Sequence, residues 1–311
     1  MAYEELPNYL MRDGLQTEFG SLHSPASRAF YVHKTAGGRA TDRPEIRNRT
    51  YTNLNDALRQ CASGNGDTVF VLPGHTEDIS GADQMSALVA GTNIIGLGWG
   101  NNRPTFTWTT AASTFLLDVA NVRLDNLILN MDPGTGTVTV TAPMTVSAAG
   151  CAIINCRART ATDANSLCTV PLAVTDDGDD FTMINNRFLG ATAGECTTQV
   201  DIAGSDRLVM INNYFHAATS STTVGTVRFK ATAATNIFLK DNCYVNKKAA
   251  SAAAVTGVAS VTGVSVNELF CYLDNTSTTM WVTSPGLMHF LNPRTSNLAG
   301  EAGMLSTVVS T

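Results

Sequence analysis

The densest acidic segment of the chain is Asp176–Asp180, in which Gly178 is the one residue without a carboxylate. Oxygen-rich loops of this kind can bind Ca²⁺. The segment lacks the alternating ligand spacing of an EF-hand loop, and Asp and Gly are also the ordinary residues of tight turns. A turn is therefore the favoured interpretation and a calcium site the other. We assign no metal ligand and predict no cofactor.

Carboxylates on strands offer a second kind of chemistry. Hydrolysis of a glycosidic bond uses two carboxyl groups on one face, roughly 5–9 Å apart. Neighbouring strands lie about 4.8 Å apart, so acids that are one or two strands apart would meet this requirement. The candidates are Asp118, Asp125, Asp201 and Asp241. Nothing in the sequence selects a pair among them, so we predict no catalytic residue.

The other reactive side chains form no recognisable set. The five histidines are scattered, Gly-x-Ser-x-Gly is absent, and the seven cysteines show neither a CxxC motif nor clustering with His. The segment Gly96–Gly100 is rich in glycine but precedes no helix, which favours a turn over a phosphate-binding loop. Exposed aromatic residues could form a sugar-binding or coat-binding surface, although aromatic residues more often stack inside a core. The candidates are Trp99, Trp108, Tyr214, Tyr244 and Trp281.

An apolar, β-branched string that ends in Asn recurs along the middle of the chain. The asparagines are Asn126, Asn155, Asn186, Asn213 and Asn242, at steps of 29, 31, 27 and 29 residues. Asn tolerates the left-handed conformation of a sharp turn, and its amide can bond to the amide of the turn above. We interpret these five residues as a structural ladder in a solenoid whose coils stack on one another.

Each repeat contains two or three short strands and no helix. Between Phe181 and Ile202, for example, three apolar strings are separated by turn residues. The segments between these strings are too short to contain a crossover helix. This excludes an ordinary parallel α/β sheet. One amphipathic helix is predicted over residues 52–63, just before the first strand. A helix at this place would cover the open end of the first coil.

These patterns divide the chain into three parts. Residues 1–50 are predicted to form an extended N-terminal arm, residues 51–280 the solenoid, and residues 281–311 a C-terminal cap and tail. The arm has seven Lys and Arg against six Asp and Glu, a charge of +1 that leaves −7 for the rest of the chain. It is either a strap along the side of the solenoid or an extension that reaches a partner.

The composition restricts the partners. Hydrophobic residues make up 44% of the chain and charged residues only 15%, which suits an all-β fold with small polar residues on its surface. The net charge of −6 argues against a nucleic-acid partner. No window approaches the roughly 18 apolar residues of a membrane span, and the first residues lack the features of a signal peptide. We therefore expect no membrane contact and synthesis in a cytoplasm.

Residues 50–280 resemble a right-handed parallel β-helix of the pectate-lyase-like superfamily. The resemblance depends on the stacked Asn turns and on the strand Gly66–Val69, which follows a short helix and precedes Pro73-Gly74. It implies an all-β, right-handed parallel β-helix. This fold hosts lyases, hydrolases, adhesins and viral structural proteins, so the resemblance is specific for the fold and not for one activity.

Within this superfamily, the chain is most similar in type to the capsid cement, or decoration, protein of a tailed phage. The resemblance implies a homotrimer that binds the major capsid protein on the outer face of the capsid and is located in the virion. The expected docking residues are Arg39, Arg43, Arg47 and Arg49. The alternative is a β-helical tailspike with polysaccharide lyase or glycoside hydrolase activity. A glycan-binding adhesin without turnover is a third possibility.

Overall fold

The fold is a stack of short strands joined by turns. The computed structural model describes residues 27–35, 49–82, 85, 88–131, 138–160, 167–190, 196–217, 226–230, 233–246, 254–257, 261–272, 281–282, 286–291, 294–296 and 303–305. Among these residues the one α-helix is α1 (Leu54–Leu58). None of their helices has the length and apolar character needed to cross a membrane.

Three sheets run along the stack, and they are called sheets 1, 2 and 3 below. Sheet 1 has 11 strands, in the spatial order β2 (Thr50–Tyr51), β1 (Ala29–Val32), β3 (Thr68–Val71), β5 (Asn93–Gly96), β8 (Arg123–Asp125), β12 (Ala152–Ile154), β16 (Thr182–Ile184), β19 (Val209–Ile211), β22 (Ile237–Lys240), β25 (Thr262–Val266) and β28 (Gly286–Phe290). Each of its neighbouring pairs is parallel.

Sheet 2 follows sheet 1 in each coil, and sheet 3 closes most coils. Sheet 2 has 10 strands: β4 (Thr76–Ile79), β6 (Thr105–Trp108), β9 (Ile128–Met131), β13 (Arg157–Thr160), β17 (Arg187–Leu189), β20 (Tyr214–Ala217), β23 (Cys243–Asn246), β26 (Leu269–Tyr272), β29 (Arg294–Ser296) and β30 (Gly303–Leu305). Sheet 3 has seven: β7 (Phe115–Leu117), β11 (Met144–Val146), β15 (Leu172–Val174), β18 (Val200–Ile202), β21 (Val227–Phe229), β24 (Val255–Thr256) and β27 (Trp281–Val282). A small parallel pair joins β10 (Thr139–Val140) to β14 (Leu167–Cys168).

Equivalent side chains of successive coils stack in the core. In sheet 1, one continuous buried row consists of Leu124, Ile153, Met183, Met210 and Leu239, which are ladder partners from one strand to the next. Residues one position along the strand point to the opposite face, because side chains alternate in a strand. The predicted all-β parallel solenoid is therefore confirmed, together with the resemblance to the parallel β-helix fold.

The solenoid begins earlier than predicted. Strand β1 lies between β2 and β3 in sheet 1, with Phe30 and Val32 in the core, although residues 1–50 were expected to form a separate arm. An ion pair fixes this strand, because the Nη2 of Arg28 lies 2.9 Å from the Oδ2 of the buried Asp67. The sequence did not predict this short strand, because it lacks the apolar string ending in Asn that marks the later coils.

The capping helix is shorter than the predicted range of residues 52–63. It spans Leu54–Leu58, and the side chain of Asn53 accepts a hydrogen bond from the N–H of Asp56 at 2.8 Å. Leu54, Ala57 and Leu58 are fully buried. The helix therefore packs its apolar face on the first coils, as its amphipathic pattern indicates.

The solenoid also continues past residue 280. Strands β27, β28 and β29 pair in parallel with the last strands of sheets 3, 1 and 2, within the range 281–311 predicted as cap and tail. Among the strands that the structure describes, β30 alone pairs antiparallel, with β29. The sequence of these last coils departs from the Asn-turn pattern, which is why they were assigned to a cap.

Candidate functional site

The turns between sheets 1 and 2 form two columns of side chains along the stack. In most coils this turn has two residues, and the first of them has a left-handed backbone. The outer turn column consists of Asn126, Asn155, Asn185, Asn212, Asp241 and Asn267, with φ between 52° and 58°. Asn and Asp adopt this conformation more readily than other side chains with a Cβ atom. This conformation explains the residue type in these six coils.

The second turn residue points inward, and the inner turn column consists of Leu127, Cys156, Asn186, Asn213, Asn242 and Glu268. The Oδ1 of Asn213 accepts the backbone N–H of Asn186 at 3.0 Å, and the Oδ1 of Asn242 accepts that of Asn213 at 2.9 Å. The Nδ2 of Asn213 donates to the carbonyl of Met183 at 3.0 Å. Buried amides thus satisfy one another and the turn backbone, which a buried polar group requires.

The five asparagines aligned from the sequence belong to two different columns. Asn186, Asn213 and Asn242 are buried in the inner turn column, whereas Asn126 and Asn155 lie in the outer one. The irregular step of 31 residues between Asn155 and Asn186 marks the change of column. Counting from the last residue of each sheet 1 strand would have separated the columns, because adjacent asparagines such as Asn185 and Asn186 face opposite ways.

Glu268 continues the inner turn column, and the sequence analysis missed it. Its Oε1 accepts the backbone N–H of Asn242 at 3.1 Å, and its Oε2 accepts the hydroxyl of Tyr244 at 2.6 Å. Burial raises the pKa of Glu268 to about 7, against the opposing effect of these hydrogen bonds. The residue is thus a buried titratable group within a structural ladder.

The acidic segment Asp176–Asp180 serves as a turn. The Oδ1 of Asp179 accepts the N–H of Asp206 at 2.7 Å, and Asp180 pairs with Arg207 of the next coil at 2.6 Å. The Arg207 guanidinium lowers the pKa of Asp180. No group of three or more His, Cys, Asp or Glu side chains in the described ranges is placed to hold a metal ion.

The strand carboxylates lie apart from one another and have separate partners. Asp125 in sheet 1 pairs with Arg123 at 2.5 Å, and Asp201 in sheet 3 pairs with Arg228 at 2.5 Å and Lys230 at 2.7 Å. Asp118 is exposed after β7. Asp241 belongs to the outer turn column and accepts a hydrogen bond from Asn267 at 2.6 Å. The structure therefore brings no two of the four candidates together as a pair.

One turn is enlarged, and it creates a groove. Between β5 and β6 the chain runs through residues 97–104, whereas the next six turns between sheets 1 and 2 have two residues. The groove has a volume of about 550 Å³ and is lined by this long turn and by Asn155, Asn185 and Arg187 of later coils. Gly96 permits the close contact of the two turns, because a Cβ atom there would lie 2.4 Å from the carbonyl oxygen of Asn126.

The groove is cationic and has an exposed aromatic ring at its rim. Trp99 is 92% exposed. Arg103 reaches two coils along and donates from Nη1 to the carbonyl of Asn155 at 2.8 Å. Arg187 lies over the ring of Tyr214, with 5.3 Å between Cζ and the ring centroid. Arg157 does not line the groove but is the ladder partner of Arg187 on the neighbouring strand. This arrangement fits an anionic ligand better than an acid–base reaction.

The aromatic side chains proposed for a binding surface differ in their burial. Trp108 and Tyr244 are fully buried, Tyr214 is partly buried under Arg187, and Trp99 is exposed. The side chain of Trp281 lies outside the described part of the structure. Trp99 is at the surface because of the conformation of the long turn. The sequence around Trp99 did not predict this exposure.

Of the predicted docking residues, only Arg49 lies within the described residues. Its carbonyl accepts the N–H of Tyr31 at 2.8 Å, and the residue is exposed next to β2, the edge strand of sheet 1. Arg39, Arg43 and Arg47 lie outside the described residues.

Comparison with known proteins finds distant structural similarity at low sequence identity. No family model matches it, and no curated protein matches it significantly. Similar solved structures include a rhamnogalacturonan lyase, at 10% identity over 85% of this chain and 84% of that one, with a TM-score of 0.35. Another is Geobacillus virus E2 ORF18, at 11% identity over 95% and 66%, with a TM-score of 0.31. A third is the A-module of the mannuronan C-5 epimerase AlgE6 of Azotobacter vinelandii, at 12% identity over 77% and 93%, with a TM-score of 0.24. At these identities and TM-scores, none of the three similarities assigns a role to this chain.

Proposed function

We propose that this parallel β-helix is a structural protein of a phage particle. It binds the major capsid protein on the outer face of the capsid as a homotrimer and stabilises the shell. The observation that carries the proposal is that the strand carboxylates act as ion-pair partners in the coil stack. Asp125 and Asp201 are 4% and 2% exposed and are held by cations of the same or a neighbouring strand. Their role is to stabilise the stack.

The position of Arg49 supports docking through the basic segment that includes Arg39, Arg43 and Arg47. Arg49 directly precedes the edge strand β2, so this segment leads into the first coil at one end of the solenoid. An exposed cation beside the edge strand of the solenoid is suited to contact with an acidic patch on a coat lattice. Such contacts increase the association rate and weaken as salt screens them.

The first experiment counts copies of this chain in the native particle. Quantitative mass spectrometry relative to the major capsid protein should give near-stoichiometric abundance for a decoration protein. Sedimentation of the purified protein should give three times the chain mass of 32.9 kDa. A handful of copies per particle would instead indicate the tailspike alternative. The proposal would then be replaced by a search for polysaccharide depolymerisation that is lost in Asp177→Asn, Asp179→Asn or Asp201→Asn variants.

The second experiment tests the docking residues. A variant with Gln at positions 39, 43, 47 and 49 should bind stripped capsids at least about tenfold more weakly at low salt, because each lost cation removes an electrostatic contact. The control replaces two other exposed cations, Lys34 and Arg59, by Gln. Equal binding by the quadruple variant and the wild type would contradict the docking assignment. Circular dichroism verifies that all variants are folded.

A further inference from the structure

We propose that the groove beside the long turn binds an acidic saccharide, that is, a sugar chain that carries carboxylate groups. This site is distinct from the capsid-docking segment and does not depend on the capsid proposal. Its components are the exposed ring of Trp99, the guanidinium groups of Arg103 and Arg187, and the side chains of Asn155 and Asn185.

The cations of the groove have no carboxylate of their own there. None of its described lining residues is acidic. The nearby Asp125 is buried and already accepts hydrogen bonds from Arg123 at 2.5 Å and from Asn155 at 3.0 Å. The carboxylates that neutralise cations elsewhere in the stack are therefore missing at this surface. An external anion would supply the missing charge.

Arg157 strengthens this argument. Its Nε is buried and has no hydrogen-bond partner. Burial lowers its pKa, and the guanidinium groups of Arg159, Arg187 and Arg103 lower it further. Like charges held so close repel one another, and a bound carboxylate would relieve that repulsion. The planar guanidinium group matches a carboxylate through two parallel hydrogen bonds.

The geometry of two arginines is fixed before a ligand binds. Arg103 is held by its bond to the carbonyl of Asn155, and the guanidinium group of Arg187 lies over the ring of Tyr214. A group that is already positioned loses little conformational entropy on binding. Arg187 and its ladder partner Arg157 lie on neighbouring strands, which are about 4.8 Å apart. Closely spaced cations suit a ligand that carries more than one carboxylate.

Trp99 and the asparagines favour a sugar over other anions. An exposed indole provides an apolar face for the C–H surface of a pyranose ring, while its polar edge stays in water. Asn155 and Asn185 are exposed and present amide groups that donate to and accept from hydroxyl groups. The chain has a net charge of −6, which disfavours a nucleic acid as the occupant.

The experiment measures binding to the full-length protein by titration calorimetry. The probes are a short oligogalacturonate, a neutral maltooligosaccharide of the same length, a poly-glutamate peptide and a single-stranded oligonucleotide. We expect oligogalacturonate to bind with an affinity that falls with salt, and each other probe to bind at least about tenfold more weakly. The fluorescence of Trp99 should change on binding, whereas the buried Trp108 is shielded.

Variants locate the site. Trp99→Ala and Arg187→Gln should each weaken oligogalacturonate binding at least about tenfold, since a charge-assisted hydrogen bond or a stacked ring contributes about that much. Arg59→Gln removes the same charge from an exposed position elsewhere and should change the affinity less than about twofold. The proposal is overturned by absence of binding at millimolar oligogalacturonate. Affinity that is unchanged in both variants, or tighter binding of the peptide or oligonucleotide, would also overturn it.

Discussion

At the residue scale, Glu268 makes the stability of the inner turn column depend on pH. Its folded-state pKa of about 7 lies above the ordinary value of 4.5, so the folded state holds the proton more tightly than the unfolded state. The stabilisation is fully present below pH 4.5 and is lost as pH rises through about 7. Between these values the free energy of unfolding should fall by about 1.4 kcal/mol per pH unit, in total by ~3 kcal/mol.

The variant Glu268→Gln tests this linkage. A Gln side chain can still accept from Asn242 and can donate to the oxygen of Tyr244, but it has no proton to lose. Its stability relative to the wild type should therefore rise between pH 5 and pH 7, by about 2–3 kcal/mol, and then stay constant. Urea unfolding at several pH values measures this difference. Asp118→Asn, at an exposed position, is the control, and a pH-independent difference for Glu268→Gln would contradict the linkage.

Adjacent asparagines provide a matched pair of variants at the same scale. Asn213→Ala should cost about 2–4 kcal/mol of unfolding free energy, because it leaves the buried N–H of Asn186 and the carbonyl of Met183 without their partner. Asn212→Gly affects an exposed residue with φ of 52°, a conformation that glycine adopts without strain, and should cost less than about 1 kcal/mol. Urea unfolding compares the two. Similar losses would show that the inner turn column has no special role.

At the element scale, sheet 2 is held together by a row of stacked rings. Phe188, Phe215, Tyr244 and Phe270 follow one another on successive strands, with ring centroids 5.4, 5.3 and 5.0 Å apart. Phe215 is fully buried and contacts a ring on each side. Because parallel strands in register place equivalent positions on top of one another, one residue type repeated per coil produces the row.

Phe215→Ala should therefore cost about 3–5 kcal/mol of unfolding free energy, through lost burial, a cavity and two lost ring contacts. The control is Phe290→Ala in β28, whose side chain is 52% exposed and should cost less than about 1 kcal/mol. Thermal or urea unfolding gives both values. If the two substitutions lowered the free energy of unfolding equally, the row of stacked rings would contribute no more stability than an exposed ring.

At the scale of the whole molecule, the early strand β1 determines where the chain can be shortened. Removing residues 1–50 takes away β1 and Thr50 of β2, exposes the edge of β3, and leaves the buried Asp67 without Arg28. Removing residues 1–26 retains these elements. The longer truncation should be less stable by at least about 3 kcal/mol, since burial of Phe30 and Val32 is lost. Equal stability by urea unfolding would show that β1 contributes nothing to the solenoid. Docking is therefore better tested by substitutions than by deletion of residues 1–50.

The sequence by itself determined the solenoid, because a left-handed turn selects Asn or Asp at one position in six successive coils and strand alternation selects apolar residues between the turns. It also indicated the N-terminal helix, whose apolar face is short but regular. It did not resolve which of two adjacent asparagines is buried, because both satisfy the same turn and only the direction of the side chain separates them. Asn155 and Asn186 were aligned for that reason.

Only the tertiary structure determined which residues line the groove and which partners the strand carboxylates have. Trp99, Arg103 and Arg187 are separated by as many as 88 residues, and coil stacking alone brings them together. Likewise, Asp201 meets Arg228 because β18 and β21 pair in register, at a separation of 27 residues. A local sequence pattern specifies a strand or a turn. Contacts between coils depend on strand register and turn length, and differences in these add up from coil to coil.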